Sequence, residues 1–237
     1  MEALQTLKKW VDESNRIVFF GGAGVSTESG IRDFRGVDGL YHQKFEYPPE
    51  TIISHSFYCS RPEYFFRFYR EKMMPIGYEP NITHHKLAQW EQEGKLLAVI
   101  TQNVDGLHQK AGSWKVYELH GSIYRNYCTS CGKFHSAEFV KEHPDVPRCT
   151  CGGIVKPDVV LYDEQLNAKT IEDSISAIEQ ADLLIVAGTS LTVYPAASFI
   201  RYFQGEHMVL INRDATPYDH AADLVMNCSL GEVFANI

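Results

Sequence analysis

A doubly wound α/β fold, with a parallel sheet covered by helices on both faces, follows from three features of this 237-residue chain. Short apolar runs of strand length recur along it. Helical patterns lie between several of them, and the first run ends in a glycine-rich turn. A continuous apolar run bounded by turn residues suits a strand buried on both faces.

Taken in order, the first helix lies at the N-terminus, where Leu4, Leu7 and Val11 fall at helical spacing beside Trp10. Strands are expected over 17–20, 96–100, 116–119, 183–187, 208–211 and 224–226. A helix is expected to start near Asn81-Ile82-Thr83, whose side chains suit an N-cap, and to stop at Gly94. Another carries Ile171, Ile175, Ile178 and Ala181 on one face. A third opens at Tyr194-Pro195, since proline suits the first helical turn.

Two insertions interrupt this alternation. Residues 36–80 are too long for a simple crossover and rich in aromatics, which are expected to pack as core. Within them, Pro62 to Met73 reads as one helix. Residues 124–156 form the second insertion. Both leave and rejoin the same sheet, so they are expected to flank one cleft.

Composition narrows the class. A formal net charge of −8 disfavours nucleic acid as the main partner and is compatible with a cationic, lysine-containing substrate. No segment approaches the ~18 uninterrupted apolar residues of a transmembrane helix. The opening MEALQTLKKWVDESNR is charged throughout, without the apolar centre of a secretory signal, so a cytoplasmic location is expected.

In such a reducing compartment the six cysteines are not expected to form a disulfide framework. Cys128 and Cys131 form a C-x-x-C pair, and Cys149 and Cys151 follow as C-x-C. Four thiolates from two knuckles close a tetrahedral zinc site with no open position, which makes the metal structural. Gly132 and Gly152-Gly153 permit the tight turns. The shortened second pair is expected to tilt one ligand without preventing fourfold binding.

The loops after the strands carry the polar chemistry. After the first come Gly22-Ala23-Gly24-Val25-Ser26-Thr27, then Arg32-Asp33-Phe34-Arg35. Glycines between a strand and a helix start allow a pyrophosphate to approach the backbone, although alone they fit a structural turn equally well. After the other strands come Gln102-Asn103-Val104-Asp105, His120-Gly121, Gly188-Thr189-Ser190 and Asn212-Arg213. Each alone has a structural reading. Together they stand at the carboxyl edge of the sheet, where open α/β folds bind ligands.

These motifs resemble those of the sirtuins, NAD-dependent protein-lysine deacylases, in their bacterial-type catalytic core. Matching stretches are Gly22-Ala23-Gly24-Val25-Ser26, Ser29-Gly30-Ile31-Arg32-Asp33-Phe34-Arg35 and Thr101-Gln102-Asn103-Val104-Asp105. Leu119-His120-Gly121, the cysteine pairs, Lys156-Pro157-Asp158-Val159-Val160, Gly188-Thr189-Ser190 and Ile211-Asn212 follow in the family's order. Arg32 departs from the proline usual at its position, and Leu161-Tyr162-Asp163-Glu164 replaces the commoner Phe-Gly-Glu.

The resemblance implies a Rossmann-like core over 1–35, 81–123 and 157–237, with 36–80 as cofactor loop and helical insertion and 124–156 as zinc module. It implies NAD as a consumed co-substrate. The pyrophosphate would lie on Gly22, Ala23, Gly24, Ser26 and Thr27. Asp33, Phe34 and Arg35 would close over the ribose and nicotinamide. Phe34, Asn103, Val104 and Asp105 would form the nicotinamide pocket, Gln102 would also contact the cofactor, and Gly188, Thr189, Ser190, Asn212, Arg213 and Cys228 would lie along the rest of it. An acetyl-lysine protein substrate would pair with Pro157, Asp158, Val159 and Val160. Asn103 and Asp105 would share the catalytic work with His120, which also contacts the cofactor and serves as general base on the ribose hydroxyls. The acyl oxygen attacks the ribose as nicotinamide leaves, and water resolves the alkylimidate to lysine and O-acetyl-ADP-ribose.

Relatives that prefer succinyl or malonyl groups carry a Tyr and an Arg three apart in the first insertion. Here Phe66 and Tyr69 take those positions, so deacetylation is expected over desuccinylation. The rival readings are a protein ADP-ribosyltransferase, a non-catalytic NAD or ADP-ribose sensor, and a zinc-dependent nucleic-acid adaptor. A monomer without membrane or direct nucleic-acid contact is expected.

Overall fold

The structure is a computed structural model describing residues 2–34, 39, 41 and 43–237. In chain order its strands are β1 (Ile17–Gly21), β2 (Leu96–Thr101), β3 (Val116–Glu118), β4 (Gly121–Cys128), β5 (Phe134–His135), β6 (Val155–Val159), β7 (Leu183–Ala187), β8 (His207–Ile211) and β9 (Leu224–Met226). The α-helices are α1 (Glu2–Glu13), α2 (Pro49–Ile52), α3 (His55–Ser60), α4 (Pro62–Phe68), α5 (Ile82–Gln92), α6 (Leu107–Lys110), α7 (Ala137–Glu142), α8 (Ala168–Gln180) and α9 (Leu230–Phe234).

Six parallel strands form the main sheet in the order β3-β2-β1-β7-β8-β9. The chain works outward from β1 to β3, then returns to the other side of β1 with β7. That reversal opens a crevice beyond the carboxyl ends of β1 and β7, where doubly wound folds bind nucleotides. Strand alternation sends Val18, Phe20, Ile100 and Val186 to one face, beneath Ile178 of α8 and Phe199 and Ile200. Ile17, Phe19, Val99 and Ile185 point to the other, beneath Leu7 of α1, Leu87 and Trp90 of α5 and Phe234 of α9.

The helix starting after Asn81 forms as expected. Asn81 accepts from the Thr83 N–H, and His84 accepts from the Asn81 N–H in a capping box. The helix ends just before Gly94, which adopts a left-handed φ of 75°.

Two expected helices differ. Pro62 to Met73 is not one α-helix: α4 stops at Phe68, and Tyr69–Met73 continues as a wider π turn. The segment after Tyr194-Pro195 is 3-10, over Ala196–Tyr202. In the first case Arg70 reaches away to donate to the carbonyls of Asp145 and Pro144, at 2.8 and 2.6 Å, so tertiary contacts compete with regular winding.

The second, smaller sheet is antiparallel, in the order β5-β4-β6. The aromatics of the first insertion pack as core, and Phe65 and Phe66 are fully buried. Their cluster also includes Ile123, Ala137, Val140, Val155 and Val159 from the cysteine-bearing segment and its borders. The two insertions therefore share one hydrophobic cluster beside the main sheet.

Candidate active site between the sheet edge and the cysteine-bearing lobe

The glycines after β1 have a structural cause that can be stated atom by atom. Gly22 N–H donates to Ala187 O at 3.2 Å and Gly24 N–H to Gly188 O at 2.8 Å, so the loops after β1 and β7 touch backbone to backbone. A Cβ on Gly22 would sit 2.8 Å from Thr189 Cβ, and one on Gly24 would sit 2.8 Å from Gly188 Cα. Side chains at these positions would force the two loops apart. Ala23–Ser29 then winds as a 3-10 segment and ends at Gly30, with φ of 91°.

That winding turns Ser26 inward to a buried polar cluster. Ser26 Oγ donates to Asp105 Oδ2 at 2.6 Å, and Asn103 Nδ2 donates to Ser26 Oγ at 3.1 Å. The Leu107 N–H donates to Asp105 Oδ1 at 3.0 Å. Burial raises the proton affinity of the Asp105 carboxyl, and the Ser26 and Leu107 donors work against that rise. Beside this cluster, Gln102 Nε2 donates to Thr189 Oγ1 at 3.0 Å, bridging the loops after β2 and β7.

His120 stands where the chain passes from the main sheet to the small one. Its carbonyl accepts from the Val160 N–H at 2.9 Å, and its Nδ1 donates to Gln102 O at 2.9 Å. The next residue must be glycine. Gly121 has φ of 77°, and a Cβ there would overlap Asp158 O. Burial lowers the His120 pKa, opposed by the Gln102 contact.

A cleft of about 730 Å³ joins these loops. It is lined by Gly22, Ala23, Gly24, Ser26, Asp33 and Phe34 from the first loop and by Gln102, Asn103, Val104, Asp105 and His120 from the loops after β2 and β3. Gly188, Thr189, Ser190 and Asn212 line the opposite side, and Val159 and Val160 form part of the far wall.

Several expected residues do not line it. Thr27 Oγ1 turns back to donate to Gly24 O at 3.0 Å. Arg213 is exposed. Cys228 packs against the core beneath the sheet, where burial raises its thiol pKa. Pro157 sits within β6, and the Asp158 carboxylate is held by Arg125 Nε at 2.7 Å. Arg35 lies outside the described residues.

The cleft also includes residues not singled out as site residues. Tyr69 lines it from the π turn, fully buried, with no hydrogen-bond partner for its hydroxyl among the described residues. Tyr162 lines it too, its hydroxyl 3.0 Å from that of Tyr41. The departure at 161–164 has a local answer. Asp163 occupies a left-handed φ of 73°, a conformation Asp tolerates better than most residues, and its carboxylate accepts from Ser56 Oγ at 3.1 Å.

The cysteines converge as their spacing predicts. Cys128 Sγ lies 3.4 Å from Cys151 Sγ and Cys131 Sγ lies 3.8 Å from Cys149 Sγ. All four sulfurs lie within 4.8 Å of one another. Tetrahedral zinc with ~2.3 Å bonds requires sulfurs about 3.8 Å apart, so the donor set fits that metal. The Cys131 N–H draws the Cys128 thiol down to about 6, and the Cys151 N–H draws Cys149 down to about 7. Cys131, despite the Lys133 N–H, is pushed up to about 12 by the sulfurs of Cys151 and Cys128. Crowded thiols cannot all ionise without a cation, and a divalent ion removes that conflict.

A sheet of this order, with a four-cysteine lobe beside it and a histidine at their junction, defines a nucleotide-binding α/β protein with a second, zinc-type module. Residues 22–195 match the model of the Sir2 family. The chain belongs to the Sir2 family. It is 56% identical over 241 residues to a Clostridium acetobutylicum protein named NAD-dependent protein deacetylase, covering 100% of this chain and 98% of that one. It is 52% identical to a Clostridium tetani protein of the same name, with the same coverage. Among solved structures, a Sir2 variant with deacetylated p53 peptide and 3′-O-acetyl ADP ribose superimposes with a TM-score of 0.91 at 38% identity, covering 98% of this chain and 96% of that one. A Sir2–p53 peptide–NAD+ structure gives a TM-score of 0.86 at 37% identity, covering 98% and 95%.

Proposed function

We propose that this protein is an NAD-dependent protein-lysine deacetylase that works in the cleft between the sheet edge and the cysteine-bearing lobe. It converts acetyl-lysine and NAD to lysine, nicotinamide and O-acetyl-ADP-ribose. The observation that carries this reading is the placement of His120. Its ring stands in the nucleotide crevice while its backbone holds Val160, so one residue touches both proposed substrate sites.

NAD, when bound, supplies the ribose carbon that receives the acyl oxygen and the nicotinamide that leaves. The chain's residues bind and orient. Ser26, Asn103 and Asp105 offer a buried, pre-ordered polar group to the nicotinamide amide, and Phe34 closes over it. Gln102 fixes the His120 tautomer, leaving Nε2 as the proton acceptor for a ribose hydroxyl. Among the described strands β6 is an edge strand paired with β4, so beyond Val155, whose N–H donates to Pro147 O, its other edge is available for an extended peptide to add as a strand. Thr27, Arg213 and Cys228 have no direct part in this reading.

We assign the four cysteines to one structural zinc, residues 36–80 to the cofactor loop and helical insertion, and residues 124–156 to the zinc module beside the core. We further assign the protein to the cytoplasm as a monomer without direct nucleic-acid contact, the last in keeping with its net charge of −8. No described helix is long and apolar enough to cross a membrane.

Nicotinamide release from NAD, measured with and without an acetyl-lysine peptide, tests the reading. Release that depends on the peptide supports a deacetylase. Binding of NAD with no release in either condition would leave a sensor.

A further inference from the structure

A second cluster of reactive side chains lies beside the cleft. Helix α3 carries His55 and, one turn later, Cys59 on the same face. Cys59 Sγ lies 3.3 Å from His55 Nε2, and His55 Nδ1 lies 2.7 Å from Glu164 Oε1. The other carboxylate oxygen of Glu164 accepts from the Leu161 N–H at 2.8 Å and from Lys156 Nζ at 3.1 Å. Burial raises the proton affinity of this carboxyl, but the Leu161 N–H, His55 and Lys156 outweigh it and hold the group below its ordinary range. A carboxylate only accepts. His55 Nδ1 therefore carries the proton, and Nε2 offers its lone pair to the Cys59 thiol.

Backbone contacts fix this geometry. His55 N–H donates to Tyr162 O at 2.9 Å, and Tyr162 N–H donates to Ile53 O at 3.0 Å. Ser54 Oγ caps the helix by accepting from the Phe57 N–H at 3.2 Å. Nucleophile in contact with base, and base in contact with an orienting carboxylate, is the arrangement that activates a thiol. Cys59 is exposed. The base His55 and Glu164 line a hollow of about 510 Å³ together with Lys156, Asp158 and Val160.

We propose that Cys59, with His55 as its base and Glu164 as the orienting carboxylate, is a nucleophilic thiol that takes up low-molecular-weight disulfides, and that the adduct obstructs the peptide groove. His55 Nε2 accepts the S–H proton as Cys59 Sγ attacks one sulfur of R–S–S–R. The Sγ–S bond forms, the original S–S bond breaks, and the departing thiolate takes the proton from His55. Cys59 is oxidised and the departing half is reduced to R–SH, with the disulfide as the oxidant. The adduct stands next to His55, which lines the hollow that includes Asp158 and Val160 of the proposed peptide-binding segment. This obstruction, unlike the thiol chemistry, rests on the proposed function.

Treatment of the full-length protein with oxidised glutathione, followed over time by peptide-mapped mass spectrometry, tests the chemistry. Cys59 should be modified at least ~10-fold faster than Cys228, and His55→Gln should slow Cys59 by about 10-fold while leaving Cys228 unchanged as a control for folding. Equal rates at the two cysteines, or an unchanged Cys59 rate in His55→Gln, would overturn it. For the obstruction, binding of a fluorescent acetyl-lysine peptide should weaken by about 10-fold after modification, and not in treated Cys59→Ser. Unchanged binding by the modified protein would overturn the obstruction. A protein that binds no peptide even before treatment would contradict the deacetylase reading, while the modification rate is measured without peptide.

Discussion

His120 Nδ1 lies 2.9 Å from the backbone carbonyl of Gln102, and that contact decides which ring nitrogen is free for chemistry. A carbonyl oxygen only accepts, so Nδ1 holds the proton and Nε2 has the lone pair. The second-strand loop thus sets the tautomer of an imidazole supplied by the third.

Replacing His120 with Ala should lower acetyl-ADP-ribose formation by about 10²–10⁴-fold. NAD binding should stay within a few-fold. The pH dependence follows from burial, which lowers the pKa of this imidazole below its ordinary 6.5. A general base works in its neutral form, so activity should be flat through neutrality and fall as pH drops through a midpoint below 6.5. Turnover unchanged in the variant, or an acid limb centred above pH 7, removes His120 from the base role.

Asp105 is held by two donors, Ser26 Oγ and the Leu107 N–H, at 2.6 and 3.0 Å. Asp105→Asn turns one accepting oxygen into a donor and leaves one of these partners unmatched in a buried site. It should raise KM for NAD by at least ~10-fold, about 1.4 kcal/mol, and leave KM for the acetyl peptide within about twofold. Steady-state kinetics in both substrates check this. A rise confined to the peptide would place Asp105 elsewhere in the mechanism.

Much of this site was legible in the sequence, and the reasons differ by residue. The strand ends were readable because apolar runs such as Leu183–Ala187 terminate abruptly in Gly188-Thr189-Ser190. His120 was readable because it follows such a run directly. The cysteines were readable because metal geometry imposes spacing. The contact of Ser26 with Asp105 was not, since it joins loops from different strands and leaves no local periodicity. The place of Tyr69 in the cleft was not legible either, since the π turn over Tyr69–Met73 leaves no mark in the helical spacing of 62–73. Arg213 and Cys228 are the reverse case: polar neighbours of a strand end in sequence, they turn outward or under the sheet in space.

The wall at Tyr69 bears on acyl preference. Tyr69 lines the cleft and Phe66 is buried without lining it, and neither side chain supplies the cation that an acidic acyl chain would need. Acetyl-lysine should be processed at least ~10-fold faster than succinyl-lysine on matched peptides, since an unpaired buried carboxylate is costly. Tyr69→Arg should narrow that ratio. Faster succinyl removal by the unmodified protein would contradict the assignment.

The cysteine-bearing lobe shares its core with the helical insertion, so metal loss should be felt beyond the ligands. Purified protein should contain about one equivalent of zinc, and Cys149→Ser should lose most of it and melt at a lower temperature. Metal analysis and thermal unfolding read both effects. A metal-free protein with an unchanged melting temperature would contradict a structural zinc.

Mass spectrometry of one acetyl-lysine peptide incubated with the protein, with and without NAD, tests the central claim most directly. The account predicts free lysine, nicotinamide and O-acetyl-ADP-ribose in equal amounts, and only when NAD is present. An unchanged acetyl group, or a peptide carrying ADP-ribose in place of free lysine, would contradict it.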